Sequence, residues 1–238
     1  MKLAISSTAC MGKTTLVNDF IKEWPEYKKV SNSCQSIIKE KNLNINKNGD
    51  ENSQRIIRDV YIDNSQMYSR KDNTIYDRSI LDNLAYSMWL NYYGKVSDDF
   101  IKESIEITSQ TLKTFDIIFF IPMSPSYPVN FVESNSIDID EKYREEIDNI
   151  FKAIIADYRK TNRCIFPARD CPAVIEVFGT EKERIELMKL YITKDGNAYG
   201  EKDSLIVNPY GHNPLIADPE PEQLPGIIGN GIAAEIYE

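Results

Sequence analysis

Met1-Lys2-Leu3-Ala4-Ile5-Ser6-Ser7-Thr8-Ala9-Cys10-Met11-Gly12-Lys13-Thr14-Thr15 is the stretch on which the reading of the chain turns. Leu3 to Ser6 has the composition of a short buried strand, Gly12-Lys13-Thr14-Thr15 turns the backbone, and Leu16-Val17-Asn18-Asp19-Phe20-Ile21 opens an amphipathic helix. In that order the elements lay out a phosphate-binding loop. Backbone N–H groups at a helix N-terminus, next to a lysine and a hydroxyl, hold the terminal phosphates of a nucleoside triphosphate and its Mg²⁺. The usual pattern G-x-x-x-x-G-K-[ST] puts a first glycine at position 7, where this chain has Ser7. A bare GKT tripeptide also arises by chance, so the plainer alternative is an ordinary glycine-containing strand-to-helix turn. The strand before it and the helical pattern after it favour the loop.

Outward from this stretch, helix and strand signals alternate. The first helix should run from Thr14 to Glu23 and stop before Trp24-Pro25, because the residue ahead of a proline avoids helical geometry. Tyr27 to Ser31 reads as a short strand, Cys34 to Lys41 as a short helix and Asn42 to Asp50 as a loop. Glu51 to Arg70 has helical spacing and carries Arg55, Arg58 and Arg70, either as a solvated face or as groups reaching an anionic substrate. Thr74-Ile75-Tyr76 is a strand that runs into Asp77-Arg78-Ser79 and then a helix from Ile80. Ligands of an open parallel sheet gather at the carboxyl ends of its strands, so Asp77 and Arg78 should face the crevice of the phosphate loop. The plain alternative is a helix-start aspartate beside a surface arginine.

Ser97 should cap a helix through Thr111, and Phe115 to Met123 is the strongest strand, its unbroken apolar run suiting a centre covered on both faces. Ser124 to Ile139 is a long loop with prolines, suited to a lid. Asp140 begins a helix with an apolar stripe from Tyr143 to Tyr158, and Arg144 lies off that stripe, near the loop. Ala173 to Phe178 is a last strand, and Thr180-Glu181-Lys182-Glu183 is a capping box opening a helix through Tyr191. Residues 1–192 thus read as one domain. Residues 193–238 form an acidic extension holding six of the ten glycines and five of the eleven prolines.

Across its 238 residues the chain has a formal charge of −9 and a pI near 4.9. That balance argues against general nucleic-acid binding, which needs a basic face. No apolar run reaches a membrane span, and the cysteines lack a metal-type pair, which together lead to the expectation of a reduced, cytoplasmic setting. His212, the only histidine, has no ligand-spaced partner in the sequence, so histidine catalysis is not expected.

The combination SSTACMGKTTL, IYDRSILDNLAY, FDIIFFIP, DIDEKYREEIDNIFKAII and VIEVFGTEKERI resembles the P-loop kinase family that includes ribosylnicotinamide kinases, and is similar in outline to phage deoxynucleoside monophosphate kinases. The resemblance covers residues 1–192. It implies a three-layer α/β/α sandwich of the P-loop NTPase type around a mostly parallel five-stranded sheet, with ATP and Mg²⁺ as cofactors. By it, Lys13 contacts the β- and γ-phosphates, Thr14 holds Mg²⁺, and the backbone from Ala9 through Cys10, Met11 and Gly12 to Thr15 wraps the phosphate oxygens. Asp77 faces the acceptor or a Mg²⁺-bound water, Arg78 binds an acceptor phosphate or the transferred group, and Gly179-Thr180 lies beside the adenine. Relatives often carry a lid arginine just before the acidic helix start. Here that stretch is Ser134-Asn135-Ser136-Ile137-Asp138, so Arg144 stands in as the candidate.

The acceptor divides the remaining readings. A nucleoside hydroxyl benefits from a carboxylate base, whereas a monophosphate brings its own anionic nucleophile and needs arginines. No acid follows the second strand, which tilts the expectation toward a monophosphate held by Arg78 with Arg55 or Arg58. A nucleoside or ribosylnicotinamide kinase is the runner-up, with Asp77 as base. Kinases of polymer-borne groups and a nucleotide-gated switch or ATPase are further readings, and a homodimer is an open option.

Overall fold

The computed structural model describes residues 1–30, 34–124 and 140–199. The expected strand end at Ser31, the residues Asn32 and Ser33 after it, the lid reading beyond Ser124, and the extension from residue 200 with His212 lie outside the described residues.

Five strands, β1 (Lys2–Ser6), β2 (Lys28–Val30), β3 (Thr74–Asp77), β4 (Ile117–Phe120) and β5 (Ala173–Glu176), form one parallel sheet in the order β2-β3-β1-β4-β5. Seven helices are described: α1 (Lys13–Glu23), α2 (Cys34–Glu40), α3 (Glu51–Gln66), α4 (Ile80–Tyr92), α5 (Asp98–Leu112), α6 (Glu141–Tyr158) and α7 (Glu181–Met188). Alternation along the strands divides the core into two layers. Ala4, Tyr76, Ile118, Phe120 and Val174 pack under α3, α4, α5 and α6. Leu3, Ile5, Ile75, Ile117, Phe119 and Ile175 pack under α1 and α7. β4 therefore feeds both cores, which is why its sequence is an unbroken apolar run.

The three-layer α/β/α sandwich with a five-stranded parallel sheet is the P-loop NTPase architecture expected from the sequence. The strand order places β3 and β4 on either side of β1, in register Ile5↔Asp77 and Ser6↔Phe120. The loop that leaves β1 is thus flanked by the carboxyl end of each neighbour, the position where open parallel sheets bind ligands.

Helix ends follow the expected chemistry. Asp50, Ser97 and Asp140 cap α3, α5 and α6, and Ser79 and Thr180 open α4 and α7 with full capping boxes. α3 ends at Gln66, short of the expected Arg70, and α7 at Met188, short of Tyr191. The start of the extension folds back on the domain. The Trp24 indole N–H donates to the Thr193 carbonyl at 2.7 Å, and the Tyr27 hydroxyl to the Gly196 carbonyl at 2.7 Å.

Candidate active site

The loop between β1 and α1 is bent at two left-handed positions, Cys10 with φ 60° and Gly12 with φ 78°. Glycine accepts that conformation without a side-chain penalty; Cys10 does not, so the loop carries local strain at one residue. Gly12 is the N-cap of α1 and offers no capping side chain, which leaves the first N–H groups of the helix for a ligand.

Lys13 is 5% exposed, and its ammonium is folded back onto the loop. It donates to the Ser7 carbonyl at 2.9 Å, the Ser7 hydroxyl at 2.9 Å and the Thr8 carbonyl at 2.6 Å. The residue that replaces the first glycine is thus a ligand of the loop lysine. Burial lowers the Lys13 pKa to about 7, with Arg78 adding repulsion, while Asp82, Asp77 and Cys10 pull the other way. Thr14 sits exposed at the first turn and donates its hydroxyl to Asp77 Oδ2 at 2.5 Å. The hydroxyl and the carboxylate offer hard oxygen donors of the kind Mg²⁺ takes alongside phosphates and water, so these residues fit the ion. Thr15 is exposed on the next position of α1.

Two arginines, from helices on opposite faces of the sheet, close on the same loop. Arg144, on α6 and 4% exposed, donates from Nε to the Ala9 carbonyl at 3.0 Å and from Nη2 to Met11 Sδ at 3.3 Å. Arg184, on α7, donates to the Met11 carbonyl at 2.7 Å. Arg144 is the arginine expected from the sequence; Arg184 is not distinguishable there, because it lies in a helical run of ordinary surface charges. Gly179, with φ 91°, makes the turn into α7, and the Thr180 hydroxyl and N–H are spent on Glu183 in the capping box.

On the other side of the loop lies a cavity of about 250 Å³, lined by Ala9, Cys34, Gln54, Tyr61, Arg78, Asp82, Asn83 and Tyr86 among others. Arg78 takes φ 91°, left-handed and uncommon for a residue that carries a Cβ, and its guanidinium pairs with Asp82 at 3.3 Å. Asp82 is held at the N3 position of α4 and accepts the Ser79 N–H at 3.0 Å. Burial raises its pKa, against the opposing pull of Arg78 and Lys13. Gln54, 4% exposed, and Asn83 form an amide pair, Asn83 Nδ2 donating to Gln54 Oε1 at 2.9 Å. Asp82, Gln54, Asn83, Tyr61 and Tyr86 escaped the sequence reading because each sits at a position that helical periodicity alone assigns to packing.

Arg55 and Arg58 are corrected by the structure. Both turn away from the cavity toward α5: Arg55 pairs with Glu103 at 2.6 Å and Glu51 at 3.1 Å, and Arg58 with Glu103 at 2.8 Å and the Ser104 hydroxyl at 3.0 Å. Both guanidinium groups stack on Phe100. α3 presents Gln54 to the cavity, and the helical rotation puts residues 55 and 58 on the α5 side. A larger cavity of about 500 Å³, lined by Arg70, Asp116, Arg163 and Cys171 among others, lies at the opposite ends of the strands. There Arg70 already faces Asp116 and Asp170.

No family model matches the chain, and no curated protein matches its sequence. Solved structures do match its fold. A NadR protein in complex with NR aligns with TM-score 0.59 at 12% identity over 84% of this chain and 54% of that one. Deoxyadenosine kinase from M. mycoides with bound dATP aligns with TM-score 0.59 at 17% identity, over 80% of this chain and 98% of that one. The chain therefore spans about half the length of the NadR chains it matches. Among the described residues no helix is long and apolar enough to cross a membrane.

Proposed function

We propose that the chain is an ATP-dependent kinase of nucleosides or nucleotides, with a nucleoside hydroxyl as the acceptor its geometry suits best. The observation that carries this reading is the opposition of two built halves across Ala9. Lys13, Thr14 and the α1 N-terminus form a donor side, and the cavity holding the Arg78–Asp82 pair forms an acceptor side. Deoxyadenosine kinase, a structure named for nucleoside phosphorylation, shares the fold over nearly its whole length.

Phosphoryl transfer depends on positioning and charge neutralisation more than on covalent help from the protein. The α1 N-terminal N–H groups and Lys13 hold the donor phosphates. Asp82, whose carboxylate lines the cavity, takes the proton of the acceptor hydroxyl as its oxygen attacks the γ-phosphorus and the bond to the bridging β–γ oxygen breaks, releasing ADP. Arg78 orients Asp82 and offers its remaining N–H groups to the transferred phosphoryl. The amide pair Gln54–Asn83 suits the hydrogen-bonding edge of a base, and Tyr61 and Tyr86 suit its faces. Mg²⁺, held at Thr14 and Asp77, would neutralise charge developing on the donor phosphates.

A nucleoside monophosphate is the second reading. In its favour, Arg78 is a cation on the cavity wall next to the donor loop. Against it, Arg55 and Arg58, which the acceptor phosphate would need, are spent on α5. A panel assay separates the two: Mg²⁺-ATP with individual nucleosides, nucleoside monophosphates and ribosylnicotinamide, reading ADP release. ADP formed with nucleosides supports the preferred acceptor. ADP formed with monophosphates alone would replace it, and steady ATP loss without any acceptor would favour an ATPase.

A further inference from the structure

Arg184 is 6% exposed, and among the described residues no carboxylate stands within ion-pair distance of it. Its Nη1 donates to the Met11 carbonyl at 2.7 Å, and its Nε is buried with no partner. A Cβ built on Gly12 would lie 3.4 Å from the same Nη1, so the guanidinium abuts the N-cap of α1. The N-terminus of a helix carries a partial positive charge, and a buried cation placed against it is disfavoured unless an anion shares the site. Burial lowers the Arg184 pKa, and Glu181 offsets this only in part. Nothing in the packing of α7 against α1 requires a charge here: Ile185 and Met188 lie with Leu16 and Phe20 in one apolar core layer.

From this geometry we infer that Arg184 is a positioning residue of the donor site, locking the Met11–Gly12 peptide and adding positive charge where the donor phosphates bind. The inference rests on the kinase reading and names a residue that reading does not need. Its logic is mechanical as well as electrostatic. The side chain ties α7, which follows the Gly179-Thr180 turn, to the phosphate loop at the Met11 carbonyl. The loop needs such support because Cys10 holds a left-handed backbone that its side chain disfavours.

The test uses the full chain and two substitutions, Arg184→Gln and Arg184→Lys, with direct binding of Mg²⁺-ATP by calorimetry, steady-state KM for ATP and for the acceptor, and the thermal midpoint. Wild-type binding of Mg²⁺-ATP is the premise, and its absence would remove the kinase reading before this one is reached. Given that binding, Arg184→Gln is expected to weaken Mg²⁺-ATP at least tenfold while the acceptor KM stays within twofold, and Arg184→Lys, which keeps the charge, to recover at least half of the loss on a logarithmic scale. Mg²⁺-ATP affinity within twofold of wild type in Arg184→Gln overturns the inference. So does an equal loss in both variants accompanied by a matching fall in thermal midpoint, the pattern of a purely structural residue.

Discussion

Thr14 and Asp77 are joined by a 2.5 Å hydrogen bond that ties the first turn of α1 to the carboxyl end of β3. The two residues lie 63 positions apart in the chain and meet because β1 and β3 are parallel neighbours in register at Ile5↔Asp77. Asp77→Asn keeps the shape and removes the negative charge. It is expected to lower turnover with Mg²⁺-ATP at least tenfold, about 1.4 kcal/mol of barrier, with the fold intact by circular dichroism. Unchanged turnover in this variant would separate Asp77 from the metal and the reaction.

This pairing shows what could be read from the chain. GKTT after a strand start and DRS after a second strand were legible as sequence, and the parallel topology rule was enough to bring them to one crevice. The cavity wall was not. Gln54 and Asn83 are buried helix positions whose neighbours Ile57 and Leu84 are core, and only the angle between α3 and α4 decides that the amides meet each other. Arg55 and Arg58 misled for the same reason: an arginine on a helix advertises charge but not the direction of its face, which Phe100 and Glu103 on α5 determine. Arg184 was hidden among the charges of a short helix.

Those two arginines give a negative prediction. Arg55→Ala should leave kcat/KM for both substrates within twofold, since its partners Glu51 and Glu103 are half-exposed and such pairs contribute little. Arg58→Met should also leave kcat/KM within about twofold but should lower the denaturant midpoint, because it empties a buried cation position against Ser104 and Glu103. A tenfold rise in acceptor KM for either variant would return them to the substrate site.

If Lys13 holds the donor phosphates as proposed, nucleotide affinity should depend on pH. Burial lowers the Lys13 pKa to about 7, and bound triphosphate would raise it, so binding would take up a proton at pH above 7. Affinity for Mg²⁺-ATP should therefore be nearly flat below pH 7 and fall as pH rises, by about tenfold per unit at the steepest for a single coupled proton. Arg78, Asp82, Asp77 and Cys10 surround the lysine and are common to both proteins in the comparison with Lys13→Arg. An arginine stays charged across this range, so that variant should bind more weakly overall but with a flat profile above pH 7. An identical slope in both would assign the titration elsewhere.

Ser7 stands where the common loop has glycine, and its hydroxyl both accepts from Lys13 and donates to the Thr8 carbonyl at 3.0 Å. Ser7→Ala removes one of three acceptors from a buried ammonium and should cost roughly 1–3 kcal/mol of stability in chemical denaturation. It should also tighten Mg²⁺-ATP severalfold, because Lys13 then gives up less on moving to the phosphates. Weaker nucleotide binding in Ser7→Ala would mean that the hydroxyl supports the bound state instead.

In the proposed reaction a donor loop and an acceptor cavity meet at Ala9 and a phosphoryl group passes between them. Its most direct test is to incubate the protein with γ-labelled ATP, Mg²⁺ and each of the nucleosides, and to follow the label by chromatography. Label is expected on a nucleoside monophosphate product, one label per ADP formed, with at least a tenfold lower rate in Lys13→Ala. Label released only as inorganic phosphate, or transfer at the wild-type rate by Lys13→Ala, would contradict it.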